Sequence, residues 1–273
     1  MEQANRMSIL VLSCDKNLDV LSHYVILFRK YWSNCCFPVY LVSETQSIES
    51  DYNSIVVGEK TTWTKEVLYA IDRTQGEYVL LLLDDAYLYT PIDNAVFQEI
   101  VDFMEQNHIK YYRVPHMKSR YPKEADYAGT KNVSRVYNNK AYGVSIGITI
   151  WDKNELRHLF GDGKRTAWQV ENDFSKMAAE TKTPGFIEGY VSDKRMLLPI
   201  AHMITMGKWI PSGIKTMKAH GYEISTTQRG MLSRLQELRM TVLVFCTRIC
   251  PTRLRHPLKK ALSCLGMKFV TQY

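Results

Sequence analysis

The sequence predicts an α/β protein built on a mostly parallel sheet flanked by helices. Three observations carry this expectation. Short runs of apolar, β-favouring residues alternate with stretches of helical period through the first part of the chain, the pattern that a parallel sheet with crossover helices produces. Tyr78-Val79-Leu80-Leu81-Leu82-Leu83 is continuously apolar, as a strand buried on both faces must be. That run stops abruptly at Asp84-Asp85, and open α/β sheets bind their ligands just beyond the carboxyl ends of such strands.

The elements follow in order. Met7 to Ser13 reads as a buried first strand, Leu18 to Tyr31 as a helix, and Pro38 to Ser43 as a second strand. Ser54 to Val57 is a third short apolar run. Thr64 to Thr74 places Val67, Leu68 and Ile71 at helical spacing, with Thr64 as the expected N-cap, and leads through Gly76 into the acidic-ended strand. Pro91 to Asn107 reads as a helix and Ile109 to Val114 as a strand. Pro115 to Lys140 shows neither hydrophobic period and is expected to be a long loop near the site. Strand-like residues return from Tyr142 to Trp151, helices are expected over Asn154 to Phe160 and Ala167 to Glu180, and strand-like runs over Gly185 to Val191 and Met196 to Met206.

At 273 residues and 45% hydrophobic content, the chain can bury one large core or two small ones. The formal charge of +7 is concentrated at one end: residues 229–273 hold nine Lys or Arg and one Glu, net +8, which leaves residues 1–228 at −1. A nucleic-acid binder would carry its cations on the folded domain, and neither a zinc-finger nor an RRM signature is present, so no nucleic-acid partner is expected. The division also suggests a domain over residues 1–228 and a basic amphipathic helical tail over 229–273. The six cysteines lack CxxC spacing and read as reduced thiols. The polar Met1 to Arg6 and short apolar Ile9 to Leu12 do not resemble a secretory signal, and no run reaches the ~20 apolar residues that span a bilayer. A cytoplasmic protein is expected.

Two adjacent carboxylates at a buried strand end are costly unless a cation or hydrogen-bond donors compensate them. A divalent metal carried with a diphosphate supplies both, because hard cations take oxygen ligands and bridge phosphates. An Asp-Asp pair is equally a turn or cap signal, so the rest of the chain has to decide. No GxGxxG follows the first strand, where Ser13-Cys14-Asp15-Lys16-Asn17 stands instead, and no GxxxxGK[ST] occurs; dinucleotide oxidoreductases and P-loop enzymes are thereby disfavoured. Asp15 suits either a nucleobase or ribose contact or a helix cap.

Trp63-Thr64-Lys65-Glu66-Val67-Leu68-Tyr69-Ala70-Ile71 followed by Glu77 to Asp85 resembles the segment leading to the acidic motif of bacterial glycosyltransferases of the GT-A fold. Tyr142 to Trp151 followed by Trp168-Gln169-Val170-Glu171, and then Gly207-Lys208-Trp209, are similar to the acceptor half of the same enzymes. The resemblance implies a GT-A-like, Rossmann-related sheet that binds a nucleotide-diphospho-sugar. It implies Asp85 at a divalent metal (Mn²⁺ or Mg²⁺) and Asp84 nearer the ribose or sugar. Ser13, Asp15, Trp63, Trp168, Lys208 and Trp209 are the further candidates for binding substrate. The family motif is usually Asp-x-Asp, whereas here Ala86 follows Asp85.

Trp168 and Glu171, three apart on a helix, share a face, while Asp173 points away from Glu171. An inverting transferase needs a base for the acceptor hydroxyl; Glu171 is the first candidate and Asp173 the second, against the alternative of solvated helix-face acids. Lys208 would meet a diphosphate as a point charge or be an ordinary surface lysine beside a core tryptophan, and His202 and His220 read as packed or solvated residues or as a metal ligand from the second half. The basic tail mixes arginines with Leu, Met, Val and Phe, as segments lying on an anionic membrane surface do; the alternative is a helical pair packed on the domain with a solvated basic face. The expected activity is sugar transfer from a nucleotide-sugar donor to a saccharide, in particular a lipid-linked oligosaccharide, in surface-polysaccharide (lipopolysaccharide or capsule) assembly, peripheral on the inner face of the cell membrane. The rival expectations are a sugar nucleotidyltransferase and a non-catalytic scaffold with the same fold.

Overall fold

The computed structural model describes residues 6–115, 125–127, 129–140 and 143–240. They form two compact units, Met1–His202 and Met203–Tyr273.

The first unit begins with β1 (Met7–Leu12), six residues all buried, followed by a 3₁₀ turn at Asp15–Asn17 and α1 (Leu18–Tyr31). Then come β2 (Val39–Ser43), β3 (Asn53–Val56), α2 (Trp63–Ile71), β4 (Tyr78–Leu83), β5 (Ala86–Leu88) and α3 (Asn94–Gln106). The second half of the unit supplies β6 (Tyr111–Arg113), β7 (Val133–Tyr137), β8 (Thr149–Asp152), α4 (Lys153–Phe160), α5 (Ala167–Glu180), β9 (Phe186–Asp193) and β10 (Ile200–His202).

Eight strands form one sheet in the order β3-β2-β1-β4-β8-β6-β9-β7. β3, β2, β1 and β4 are mutually parallel, β8 runs against its neighbours β4 and β6, β9 is parallel to β6, and β7 closes the edge antiparallel to β9. Six of the eight strands therefore share one direction: this is the mostly parallel, Rossmann-like α/β sheet that the alternating pattern predicts. The chain turns back on itself at β1. From there β2 and β3 build in one direction and β4 in the other, so the topological switch point lies between β1 and β4, the place beyond whose carboxyl ends open α/β sheets bind their ligands.

One face of the sheet is covered by α2, α4 and α5. Its core joins Leu10, Leu12, Val79, Leu81, Tyr111, Trp151 and Tyr190 from the strands to Val67, Ile71, Leu156, Phe160 and Val170 from the helices. α2 buries this stripe because Val67, Ala70 and Ile71 recur at helical spacing. α5 is started by a reciprocal cap in which Thr166 and Gln169 bond each other's backbone amides.

Several expected elements differ. Thr62, not Thr64, caps α2 by accepting from the Lys65 amide, and the Thr64 hydroxyl instead donates to the Arg165 carbonyl at 2.5 Å. The stretch expected as loop from Pro115 to Lys140 contains β7, a five-residue edge strand with polar Ser134 and Arg135 among its apolar residues, too short and mixed for its period to stand out. The run expected as strand from Tyr142 is irregular over its described residues until Thr149. The run Met196 to Met206 is broken: β10 pairs antiparallel with β5, and the next strand belongs to the second unit.

In the second unit β11 (Ile204–Thr205) and β12 (Lys208–Trp209) form a hairpin. Its two turn residues, Met206 and Gly207, both have positive φ (49° and 72°), the combination whose twist matches that of the strands. α6 (Pro211–Ala219) follows, opened by proline at its first position. Trp209 then bridges Met231, and residues 234–240 are helical. Most of the expected basic tail, 241–273, lies outside the described residues, as do Arg120 and Tyr121 of the expected loop. Among the described residues no helix is long and apolar enough to cross a membrane.

Candidate active site

The register of β1 on β4 pairs Leu12 with Leu83, so the next residue of each strand, Ser13 and Asp84, emerge side by side at the switch point. The Ser13 hydroxyl donates to Asp84 Oδ2 at 2.6 Å, and the Asn17 amide donates to Oδ1 at 3.4 Å. The Asp84 amide in turn donates to the Leu12 carbonyl at 3.1 Å. Asp84 is only 5% exposed, and these donors are what make a buried carboxylate there tolerable. Nothing in the local sequence marks Asn17, which reaches Asp84 only because the 3₁₀ turn folds back over the strand end.

Asp85 follows at the start of β5, whose first residue Ala86 is paired with His202 at the end of β10. Burial pushes the Asp85 carboxyl above its ordinary range, and the neighbouring His202 pulls in the opposite direction. A half-buried carboxylate near an exposed imidazole offers the oxygen and nitrogen donor types that a divalent cation takes together with water and substrate phosphates. Among the described residues no group of three His, Cys, Asp or Glu stands close enough to hold a metal.

Asp15 is engaged differently. Its carboxylate accepts from the Thr45 hydroxyl at 2.5 Å and from the Thr45 and Gln46 amides at 2.9 and 3.2 Å, tying the end of β1 to the loop after β2. Those bonds, the Thr45 hydroxyl first, hold its carboxyl below the usual range. The Asp15 amide donates to Glu44 at 3.1 Å. Facing these acids from α2 is Glu66, 6% exposed. Burial, with Glu44 and then Asp15 adding repulsion, raises its carboxyl to about 7. A signal for it existed: Glu66 lies four residues before Ala70, on the stripe that the helix buries.

Glu171, in the first half of α5, directs Oε1 at the segment before β8, accepting from the Ser145 hydroxyl at 3.0 Å and the Ile146 amide at 2.8 Å. The Ser145 amide donates to the Tyr111 hydroxyl at 3.1 Å. Two residues on, Ile148 has φ 57°, a left-handed conformation that is rare and costly for a β-branched side chain. Glu171 thus helps to fix a strained segment at the carboxyl side of the sheet, since β8 runs antiparallel to β4 and Thr149 begins it. Asp173 pairs with Arg165 at 3.0 Å and Lys176 at 3.7 Å at the surface. Trp63 packs edge-on against Phe160 at 5.6 Å, whereas Trp168 is 57% exposed. Lys208 and Trp209 lie in the second unit, the lysine exposed and the tryptophan ring enclosed. The first unit thus brings together Ser13, Asp84, Asp85 and His202, with Asp15 held separately on the β2 side and Glu171 on the β8 side.

No family model matches the chain, and no curated protein matches it. Among solved structures it is similar to the crystal structure of S. aureus TarS 1-349 in complex with UDP, at TM-score 0.45 and 10% identity over 92% of this chain and 73% of that one. It is similar to a cytidylyltransferase from Leptospira borgpetersenii at TM-score 0.44 and 11% identity, over 98% and 99% of the two chains. The chain spans 58% of another TarS 1-349 structure and 35% of the S. aureus TarS structure. Likenesses this slight carry no argument about activity. The α/β class rests on the strand order and register themselves.

Proposed function

We propose that the protein is a glycosyltransferase that moves a sugar from a nucleotide-diphospho-sugar to a saccharide hydroxyl. The observation that carries this reading is the placement of Asp84-Asp85 at the switch point, with Asp84 clamped by Ser13 and Asn17 and Asp85 half-buried near His202. A cleft lined this way repels a bare diphosphate and accepts one accompanied by a cation. Asp85 and His202 would hold Mn²⁺ or Mg²⁺, which when bound would neutralise charge on the departing diphosphate. Asp84, oriented by those two donors, is the carboxylate that this reading assigns to the donor's ribose.

Glu171 is the base in this reading. Oε1 is fixed by Ser145 and Ile146, which orients the carboxylate and leaves Oε2 to take the acceptor proton as the acceptor oxygen attacks the anomeric carbon, inverting it. The exposed Trp168 indole, one turn earlier on the same helix face, offers a flat apolar surface to a sugar ring. The acceptor we favour is a lipid-linked oligosaccharide of surface-polysaccharide assembly. A sugar nucleotidyltransferase fits less well, since the segment after β1, Ser13 to Asn17, is not the glycine- and Arg/Lys-rich loop that a triphosphate needs: Lys16 is its one cation, and Asp15 ties the segment to Thr45.

Titration calorimetry with a panel of nucleoside diphosphates, with and without Mn²⁺, tests the proposal. One nucleoside diphosphate should bind selectively and more tightly with the metal. No binding by any member of the panel would remove the donor site and leave the scaffold reading.

A further inference from the structure

In the second unit, the helical residues 234–240 are started by a reciprocal cap: the Gln236 amide donates to the Ser233 hydroxyl at 3.2 Å, and the Ser233 amide to Gln236 Oε1 at 3.0 Å. One side of this helix is anchored within the unit, because Glu237 Oε1 accepts from the Ser212 amide at 3.0 Å. Among the described residues the other side is uncovered. At about 100° per residue, Arg234, Leu238, Leu235 and Arg239 fall in that order across one arc of roughly 140°, and Glu237 lies outside it. Both leucines are 58% exposed and both arginines are exposed. Met231, just before the cap, is 45% exposed.

We propose that this arc is a docking surface for an anionic lipid bilayer. Two leucines flanked by arginines enter the headgroup boundary with their apolar side chains while the arginine stems lie along it and their guanidinium groups meet lipid phosphates. The choice of occupant follows from charge. Residues 229–273 carry net +8, and after residue 240 the sequence adds six Lys or Arg and no acid; such a concentration of cations is drawn to a negative leaflet. A second copy of the chain is the poorer occupant, since a two-fold contact sets this arc against itself and brings arginine against arginine. The proposal does not depend on the sugar-transfer reading, because it concerns a surface and its readout is binding.

Sedimentation of the full chain with vesicles of a zwitterionic lipid alone, or of that lipid mixed with an anionic one, is the test. Binding is expected only to the anionic vesicles, falling steeply with added salt. It should weaken about tenfold or more in L235S/L238S and in R234Q/R239Q, with unchanged melting temperatures showing that both variants fold. If one variant fails to fold, the other still decides. Wild-type affinity in a folded variant, equal binding to neutral vesicles, no binding at all, or a concentration-dependent dimer abolished by L235S/L238S would each overturn the proposal.

Discussion

The Ser13 hydroxyl sits 2.6 Å from Asp84 Oδ2, joining the ends of two adjacent parallel strands at the point where the sheet reverses its order of building. Ser13→Ala removes a side-chain donor to a carboxylate only 5% exposed. A hydrogen bond to a buried charge is worth about 1.5–3 kcal/mol, so the variant should lose stability of that order in urea unfolding. Its nucleotide affinity should fall as well, since Asp84 is no longer oriented. Unchanged stability would mean that water replaces the hydroxyl without cost.

Asp85 makes the opposite prediction. Its carboxyl is raised mainly by burial, so the charge is a cost to the metal-free fold. Asp85→Asn should fold with a melting temperature equal to or above that of the wild type, while losing both metal-dependent nucleotide binding and transfer. His202→Ala should lose the metal dependence to a similar degree. A folded Asp85→Asn with normal turnover would sink the donor-site assignment.

Glu171 separates positioning from proton transfer. An amide keeps an oxygen that accepts from Ser145 and Ile146 but cannot act as a base near neutral pH. Glu171→Gln should therefore keep wild-type stability and donor affinity while kcat falls by two or more orders of magnitude; Glu171→Ala should also lose about 1–3 kcal/mol of stability by releasing a buried amide. Turnover restored in the Gln variant would reduce Glu171 to a positioning residue for the strained segment at Ile148.

Glu66 predicts a pH dependence of stability. Its folded value is raised to about 7, above the ~4.3 of an unfolded glutamate. The folded state thus binds the extra proton in this window. The contribution is fully present below the unfolded value and lost as pH rises through about 7. Glu66→Gln removes the penalty, so its melting temperature relative to wild type should rise between pH 5 and pH 8, by an amount on the order of 1–3 kcal/mol in free energy. A pH-independent difference would show that Glu66 stays ionised or finds a counter-charge.

How far these features were legible varies with the range of the interaction that makes them. α1 and α5 have the bounds their periodicity predicts, and β4 matches its apolar run, because each is specified by residues within a few turns of itself. Thr62 displaced Thr64 as the cap of α2 because Thr64 found a partner 101 residues away, in the carbonyl of Arg165. β7 was hidden because an edge strand pairs on one side only, and its pattern is set by β9 rather than by a core of its own.

The α/β class and the position of the acidic pair are readable from residue order alone, since an apolar run buried on both faces can end in charge only where the sheet opens to solvent or ligand. Tertiary structure decided what the two acids are. Parallel register set Ser13 beside Asp84, and the antiparallel pairing of β10 with β5 brought His202, 117 positions along the chain, next to Asp85. No local pattern encodes such meetings, because hydrogen-bond register between distant strands, not the composition of either one, selects which side chains share a crevice.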